Sequence, residues 1–298
     1  MKNKCVKKIK VGKTEINYFE IGSGKPLVSI VSGVHGDEIN SQLILNKLIK
    51  KINNINKGTL RMIPFANKLA IEDSCRENPE DDVDLNRIFP GKNGKSLSYK
   101  LAQNLFNLVK DSNLVIDLHN YYTKIPLVNV YFKVGKEVDK KNEILHNYLG
   151  SQVWVVDIEN EKNFSGSLGG VLSKMNVPNL TIEIPKPEFS ENKDIENCAN
   201  KLFNLIKYFG IVKGKSKKYS AKYYNRKICV SPISGIFIPK IKLFSKVKKG
   251  QVIGIVKDLI TEKEKILCAP ISGKVLEILN ESFVYPEREV CAIGEMIN

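Results

Sequence analysis

The sequence predicts an α/β fold: a mixed, mostly parallel sheet flanked by helices, followed by a small C-terminal all-β domain. Two observations lead to this prediction. Over the first two-thirds of the chain, short apolar runs alternate with stretches of helical periodicity, and strands that alternate with helices favour a parallel or mixed sheet covered on both faces. After residue 227 the helical periodicity stops, and short β-type runs alternate with Gly and Pro.

Local patterns predict each element of the first part. Apolar runs predict strands over residues 26–33, 60–65, 113–118, 126–134, 152–156 and 179–184. Amphipathic spacing predicts helices over residues 39–52, 96–110, 137–149, 167–175 and 191–210. Gly210 closes the last of these helices, as glycine commonly does at a helix C-terminus. The polar segment 66–95 contains two prolines and two glycines and predicts a long loop.

A near-repeat organises the C-terminal part. The five residues from Ser231 to Gly235 recur, with one change, as the five from Ala269 to Gly273. Two copies of a strand–turn–strand unit predict a small β-barrel or sandwich with a lipoyl-like layout. The turn over 257–265 lacks the Met-flanked Lys that carrier domains modify. We therefore predict an α/β domain over 1–212, a basic linker or exposed strand over 213–227, and a small β domain over 228–298.

Composition argues against several classes of protein. Lys and Arg total 47 against 32 acidic residues, but only five are arginines and the lysines spread over every segment. Such an excess indicates solubility and loose association, so we do not expect a nucleic-acid partner. No apolar run approaches the roughly 20 residues of a membrane span, and the basic start lacks the apolar stretch of a secretion signal. We expect a cytoplasmic protein with no membrane partner, whose six scattered cysteines are reduced.

Two of the three histidines stand at the ends of predicted strands. His35 follows the strand over 26–33 in the sequence GVHGDE, and His119 follows the strand over 113–118. In open α/β sheets, ligands bind outside the carboxyl ends of strands. If His35 opens a tight turn, its imidazole and the Glu38 carboxylate converge, and a later His completes one of the catalytic zinc patterns. The spacing alone leaves a structural role for these residues equally open.

Four motifs together resemble a known family. They are the segment from Gly33 to Glu38, the segment from Asp84 to Gly91, Asp117 to His119, and Thr181 to Ile184. In this order they resemble the motifs of the succinylglutamate desuccinylase/aspartoacylase family, which is related to carboxypeptidase A. The motifs span roughly residues 25–190, and a small C-terminal β domain is also a family feature. The resemblance makes residues 1–212 a zinc hydrolase catalytic domain.

The resemblance implies zinc-dependent hydrolysis of the amide bond of an N-acyl amino acid or a similar small amide. It implies that one Zn²⁺ per chain is held by His35, Glu38 and His119. Glu183 would be the general base, and Arg76 would polarise the scissile carbonyl. The family pattern also implies substrate contacts, which would come from Asn86, Arg87 and, from the C-terminal region, Tyr285.

One departure from the family pattern bears on the substrate. The aspartoacylase branch has an arginine about ten residues before the base, where it binds an acidic side chain, whereas residues 169–174 here contain none. This puts an aspartate-like leaving group in doubt. Two other readings remain: a metallocarboxypeptidase that trims a peptide C-terminus, and a basic binding module for an acidic partner. The acyl group, the amino acid released and the oligomeric state stay open.

Overall fold

The computed structural model describes residues 4–94 and 96–297. The strands of the first part are β1 (Lys4–Val11), β2 (Thr14–Ser23), β3 (Leu27–Ser32), β4 (Gly58–Phe65), β5 (Leu114–Tyr121), β6 (Val128–Lys133), β7 (Gln152–Asp157) and β8 (Asn179–Pro185). The helices are α1 (Asn40–Lys51), α2 (Lys68–Glu72), α3 (Leu97–Val109), α4 (Glu137–Leu149), α5 (Leu168–Lys174) and α6 (Asn192–Tyr208). All six predicted strands and all five predicted helices of this part are present, which confirms the predicted fold class.

The C-terminal strands extend the main sheet and add a second one. They are β9 (Lys222–Val230), β10 (Gly235–Pro239), β11 (Lys246–Val247), β12 (Val252–Lys257), β13 (Glu264–Cys268), β14 (Gly273–Ile278), β15 (Ser282–Val284) and β16 (Glu289–Ile297). The larger sheet has the order β1-β2-β4-β3-β5-β8-β6-β7-β9-β16-β14-β11, and the smaller one the order β13-β12-β10-β15. The last residue of each copy of the near-repeat begins a strand, Gly235 in β10 and Gly273 in β14, and these two strands belong to different sheets.

The centre of the larger sheet is parallel, and its ends are antiparallel. The pairs β4–β3, β3–β5 and β5–β8 are parallel, as are β6–β7 and β7–β9. Strand β6 runs antiparallel to β8 between these two groups. Because β9 pairs with β7, the segment predicted as a linker over 213–227 is a sheet strand from Lys222 onward, and the division into domains stays a prediction.

Two apolar layers cover the two faces of the parallel strands. Ile116, Leu118 and Ile182 pack with α1, α4 and α6 on one face. Val115 packs with α3 and α5 on the other. Successive strand residues point to opposite faces, so the polar residues that alternate with the first group, among them His119 and Glu183, lie on the α3 and α5 side. No helix in residues 4–94 and 96–297 is long and apolar enough to cross a membrane.

Candidate metal centre and active site

Three buried side chains converge at the carboxyl ends of β3 and β5. Each of His35, Glu38 and His119 offers a ligand atom, and these atoms all lie within 4.8 Å of one another. His35 Nδ1 lies 2.7 Å from Glu38 Oε1, and His119 Nδ1 lies 3.1 Å from Glu38 Oε2. The three residues are at most 3% exposed. The structure thus brings together the predicted metal ligands, although His119 lies inside β5 and not beyond its end.

The turn that carries His35 depends on its two flanking glycines. Gly33 has a φ of 71°, in the left-handed region that favours glycine. At Gly36 a Cβ atom would lie 1.8 Å from the carbonyl oxygen of Ala70, while the Gly36 amide donates to the carbonyl of Cys75 at 2.8 Å. A side chain at either position would displace the turn, so these glycines fix the approach of His35 to Glu38.

Two aspartates hold the outer edges of the imidazole rings. His35 Nε2 lies 3.0 Å from Asp84 Oδ1, and His119 Nε2 lies 2.9 Å from Asp117 Oδ2. Asp117 and His119 are two residues apart on β5, so their side chains lie on the same face of the sheet. A histidine that ligates a metal usually gives its other ring N–H to a carboxylate or carbonyl, which fixes its tautomer and orientation. The hydrogen bond to Asp84 therefore sets His35 to present Nδ1 to a cation beside Glu38, whereas Asp117 places a carboxylate beside His119 Nε2 without a hydrogen bond among the described residues.

Glu183 lies next to His119 on the neighbouring strand. The two residues are paired in the parallel register of β5 and β8. Burial and the nearby Glu38 raise the pKa of Glu183 to about 7, although the charges of His119 and His35 oppose this shift. Its Oε2 is buried and has no hydrogen-bond partner among the described residues. An unpartnered buried carboxylate with a pKa near neutrality is suited to accepting and releasing a proton.

The pKa of Glu38 is shifted in the opposite direction to that of Glu183. Burial opposes its ionisation, but the charges of His35 and His119 outweigh burial and bring the pKa of Glu38 well below its ordinary value. Two carboxyl groups in one site thus have pKa values that are driven apart. One is suited to bind a cation, and the other to exchange protons.

Both predicted arginines of the loop after β4 reach the same place. Arg76 donates from Nη2 to Asp84 Oδ2 at 2.9 Å, and its Nη1 lies 3.7 Å from Glu38 Oε1. Arg87 donates to the carbonyl oxygen of Asn86 at 3.0 Å, and its side chain is 42% exposed. The Asn86 side chain accepts from the amide of Leu168 at the start of α5. Arg76 is therefore held by Asp84 beside Glu38, and both arginine side chains remain partly exposed, 39% for Arg76 and 42% for Arg87.

A single cavity contains seven of the eight predicted site residues. His35, Glu38, Arg76, Asn86, Arg87, His119 and Glu183 all line it. Tyr285 does not: it is 55% exposed, and its carbonyl accepts from the Arg288 amide at 3.0 Å. The turn between β15 and β16 brings the residues after Tyr285 to the cavity instead. The expectation that Tyr285 reaches the site is therefore not supported.

Sequence reasoning missed one wall of this cavity. It is lined by side chains from the end of β5, from β7, and from the C-terminal strands and the turn before β16, including Tyr121, Tyr122, Trp154, Arg226, Arg288 and Glu289. The scarcity of arginine in the composition could have identified part of this wall. Four of the five arginines in a lysine-rich chain line this cavity, which indicates that planar guanidinium groups are needed there.

Comparisons with known proteins agree with the geometry. A family model described as the succinylglutamate desuccinylase/aspartoacylase catalytic domain matches residues 25–208. A crystal structure of a succinylglutamate desuccinylase/aspartoacylase from Rhodobacter sphaeroides superposes with a TM-score of 0.83 and 19% identity, covering 95% of this chain and 90% of that one. At that identity, the likeness concerns the fold.

Two curated relatives share a shorter segment. An N-alpha-acetyl-L-2,4-diaminobutyric acid deacetylase from Halomonas elongata is 33% identical over 97 residues, which are 32% of this chain and 28% of that protein. A probable aspartoacylase from Prochlorococcus marinus is 34% identical over 98 residues, which are 31% of this chain and 32% of that protein. The matched segments thus span about a third of each relative or less.

Proposed function

The chain belongs to the succinylglutamate desuccinylase/aspartoacylase family, and from that premise we propose that it is a zinc-dependent enzyme that hydrolyses the amide bond of a small N-acyl amino acid. One observation supports this most directly. Two histidines and a carboxylate converge in a buried cluster, beside a carboxyl group with a pKa near 7, in a cavity edged by guanidinium groups.

The residues present fit a zinc ion. Two imidazoles and one carboxylate form a common set of protein ligands in catalytic zinc sites, and mixed nitrogen and oxygen donors suit this metal. Asp84 and Asp117 would orient His35 and His119 for binding through Nδ1. When bound, Zn²⁺ would supply Lewis-acid polarisation of the amide carbonyl and would make a water molecule more acidic.

Glu183 would move the protons of the reaction. It would take a proton from the attacking water and later give it to the nitrogen of the leaving amine. A pKa near 7 lets one carboxyl group perform both transfers near neutral pH. Its buried, unpartnered Oε2 leaves room for this contact with water or substrate.

The arginines of the loop would position the substrate. Arg76, held by Asp84, would donate to the carbonyl oxygen as negative charge develops there. Arg87 would bind the α-carboxylate through two parallel N–H groups, a geometry that lysine cannot reproduce. The C-terminal residues that complete the cavity favour a small substrate over a peptide, because they would occupy space that a bound peptide chain needs.

The test is a mass-spectrometric screen of the purified, zinc-loaded protein against a panel of N-acyl amino acids and short peptides. We expect release of free amino acid from at least one N-acyl amino acid, and no release with Glu183→Gln. Trimming of peptides with no turnover of the N-acyl amino acids would instead favour a carboxypeptidase. Stoichiometric zinc with no turnover of any amide would contradict the proposed function.

A further inference from the structure

We propose that Cys229 and Cys291 form a redox-sensitive pair, which hydrogen peroxide converts to a disulfide that cross-links β9 to β16. The two residues lie far apart in the sequence, but they face each other in the antiparallel register of these strands. Both are free thiols in the structure. The inference does not depend on the proposed function, because it concerns groups that take no part in the hydrolysis.

The strand pairing brings the two cysteines to the separation that a disulfide needs. Residues directly opposite each other in an antiparallel pair have Cα atoms about 4.5 or 5.5 Å apart, depending on their hydrogen bonding. Disulfides join residues whose Cα atoms are about 4.4–6.8 Å apart. Opposed residues also point to the same face of a sheet, and both cysteines belong to one apolar cluster. The S–S bond therefore needs rotation of two side chains and no rearrangement of the strands.

An irregularity in β16 places Cys291 opposite Cys229. The register begins with Glu289 facing Val230, and it shifts by one residue before Cys291. In an unshifted register, Val290 would face Cys229 instead. A bulge of this kind re-aims side chains within a strand. The pairing of the two thiols thus depends on a specific local feature of β16.

The other four cysteines are placed differently. Cys5 faces a glutamate across β1 and β2, and Cys268 faces a valine across β13 and β12. Cys75 donates to a backbone carbonyl at 3.1 Å, and Cys198 is buried in α6. In residues 4–94 and 96–297, no other two cysteines are opposed across strands. Disulfide formation within the folded chain should therefore be confined to one pair.

The two thiols of this pair differ in access and in acidity. Cys229 is 9% exposed, whereas Cys291 is fully buried. A hydrogen bond from the Cys291 thiol lowers the pKa of Cys229, while the same bond and burial raise the pKa of Cys291. The thiolate is the form of cysteine that reacts with oxidants. Cys229 is therefore the thiol that meets the peroxide, and Cys291 is the thiol that completes the disulfide.

The reaction balances with hydrogen peroxide as the only oxidant. The Cys229 thiolate attacks the peroxide, the O–O bond breaks, and a sulfenic acid and hydroxide form. The Cys291 sulfur then attacks the sulfenic sulfur, the S–O bond breaks, and the leaving hydroxide takes the Cys291 proton. In total, two thiols lose two electrons and two protons, and one peroxide becomes two water molecules. A dithiol reductant reverses the change by thiol–disulfide exchange.

The cross-link ties together two strands that supply one wall of the cavity. Arg226 lies on β9 and Glu289 on β16, and both line the cavity. Tyr122, which donates to Glu289 at 2.6 Å, packs against the cluster that contains both thiols. Oxidation therefore fixes this wall from behind. Because the disulfide closes a long loop of the unfolded chain, it should also stabilise the folded protein.

The test is peroxide treatment of the reduced, full-length protein, followed by alkylation under denaturing conditions and mass spectrometry of tryptic peptides. Cleavage after Lys227, Lys240 and Arg288 places the two cysteines on separate peptides. We expect a linked peptide that a dithiol separates again. The two thiols should be lost at least about tenfold faster than the Cys198 thiol, because burial raises the pKa of Cys198 to about 12 and it has no thiol opposite it.

Two variants complete the test. Cys291→Ala removes the second thiol, so peroxide should oxidise Cys229 without forming a linked peptide. Peroxide treatment should raise the urea concentration at which the wild type unfolds, and Cys291→Ala should show no such rise. The matched control Cys198→Ala should keep both the linked peptide and the rise.

The peptide measurement on the wild type decides the question even where a variant fails to fold. Persistence of both thiols under peroxide would overturn the proposal, as would loss of the Cys198 thiol at the same rate. A link from Cys229 to any cysteine other than Cys291, or its oxidation to sulfinic acid in place of the disulfide, would also overturn it.

Discussion

Asp84 is the side chain on which the ligand geometry and the arginine geometry both depend. Its Oδ1 accepts from the amide of Asn86 at 2.8 Å and lies 3.0 Å from His35 Nε2. Its Oδ2 accepts from Arg76 Nε at 3.2 Å and Nη2 at 2.9 Å. The substitution Asp84→Asn keeps the shape of this residue but leaves only one oxygen. The new NH₂ group must then face either the guanidinium or the imidazole.

Each orientation has a defined cost. An NH₂ group toward Arg76 sets donor against donor and releases the guanidinium. An NH₂ group toward His35 requires Nε2 to be an acceptor, so the ring proton moves to Nδ1 and blocks the ligand atom. Loss of such an outer partner typically weakens metal binding 10–100-fold, which is about 1.4–2.7 kcal/mol. We therefore expect Asp84→Asn to raise the zinc Kd by about that factor and to lower turnover further.

The assay is competition for zinc with a chromophoric chelator. The matched control is Asp81→Asn in the same loop, since Asp81 accepts from the hydroxyl and the amide of Ser98 and does not touch the ligands. The control should keep the wild-type Kd. A zinc Kd for Asp84→Asn within about threefold of wild type would show that Asp84 does not orient His35 for metal binding.

Three other outcomes are expected. Glu183→Gln should retain zinc by elemental analysis while losing about 10²–10⁴-fold in kcat, and a loss below tenfold would assign the proton transfers elsewhere. Arg87→Lys should raise KM more than it lowers kcat, because lysine keeps the charge but loses the bidentate contact with the α-carboxylate. If the wild type cleaves substrates with an amidated α-carboxyl group as fast as those with a free one, Arg87 does not bind that carboxylate. Burial lowers the pKa of His146 to about 3 in the folded chain. In the unfolded chain this pKa is about 6.5. Between pH 7.5 and pH 5, His146 of the unfolded chain therefore binds a proton that the folded chain excludes. The free energy of unfolding should therefore fall by about 2 kcal/mol on this account over that range, and urea titrations of His146→Gln should show a correspondingly smaller fall.

The sequence reveals most where the interactions are local. Apolar periodicity identifies the strands and helices around the site, because those strands are buried on both faces and the helices on one. The turn that carries His35 needs glycine at positions 33 and 36, and this requirement is visible as a local sequence motif. The N-terminal hairpin of β1 and β2 escaped prediction because β1 is almost wholly exposed and rich in lysine. β1 is a strand because it pairs with β2, and it has no apolar face that would mark it in the sequence.

The missed wall of the cavity depends on long-range pairing instead. Arg226 becomes a cavity residue only because β9 joins the edge of β7 in a particular parallel register. Within the basic segment 213–227, Arg226 differs from the neighbouring lysines only in being an arginine, and no local pattern places it in a cavity. Tyr285 shows a related limit: it lies in the turn between β15 and β16, but the residues of this region that line the cavity are Arg288 and Glu289. Only the arrangement of strands can decide between neighbours on a turn.

The order of strands in the larger sheet brings two parts of the chain to one cavity. The proposed ligands and Glu183 lie on β5, on β8 and in the turn between β3 and α1, within the segment that matches the family model. Arg226 and Glu289 come from strands beyond it, and Arg288 from the turn just before β16. Because β9 belongs to the same sheet as β5 and β8, Arg226 is held by strand pairing relative to His119 and Glu183. Change in the C-terminal strands could therefore alter which substrate is accepted while leaving the hydrolytic groups in place.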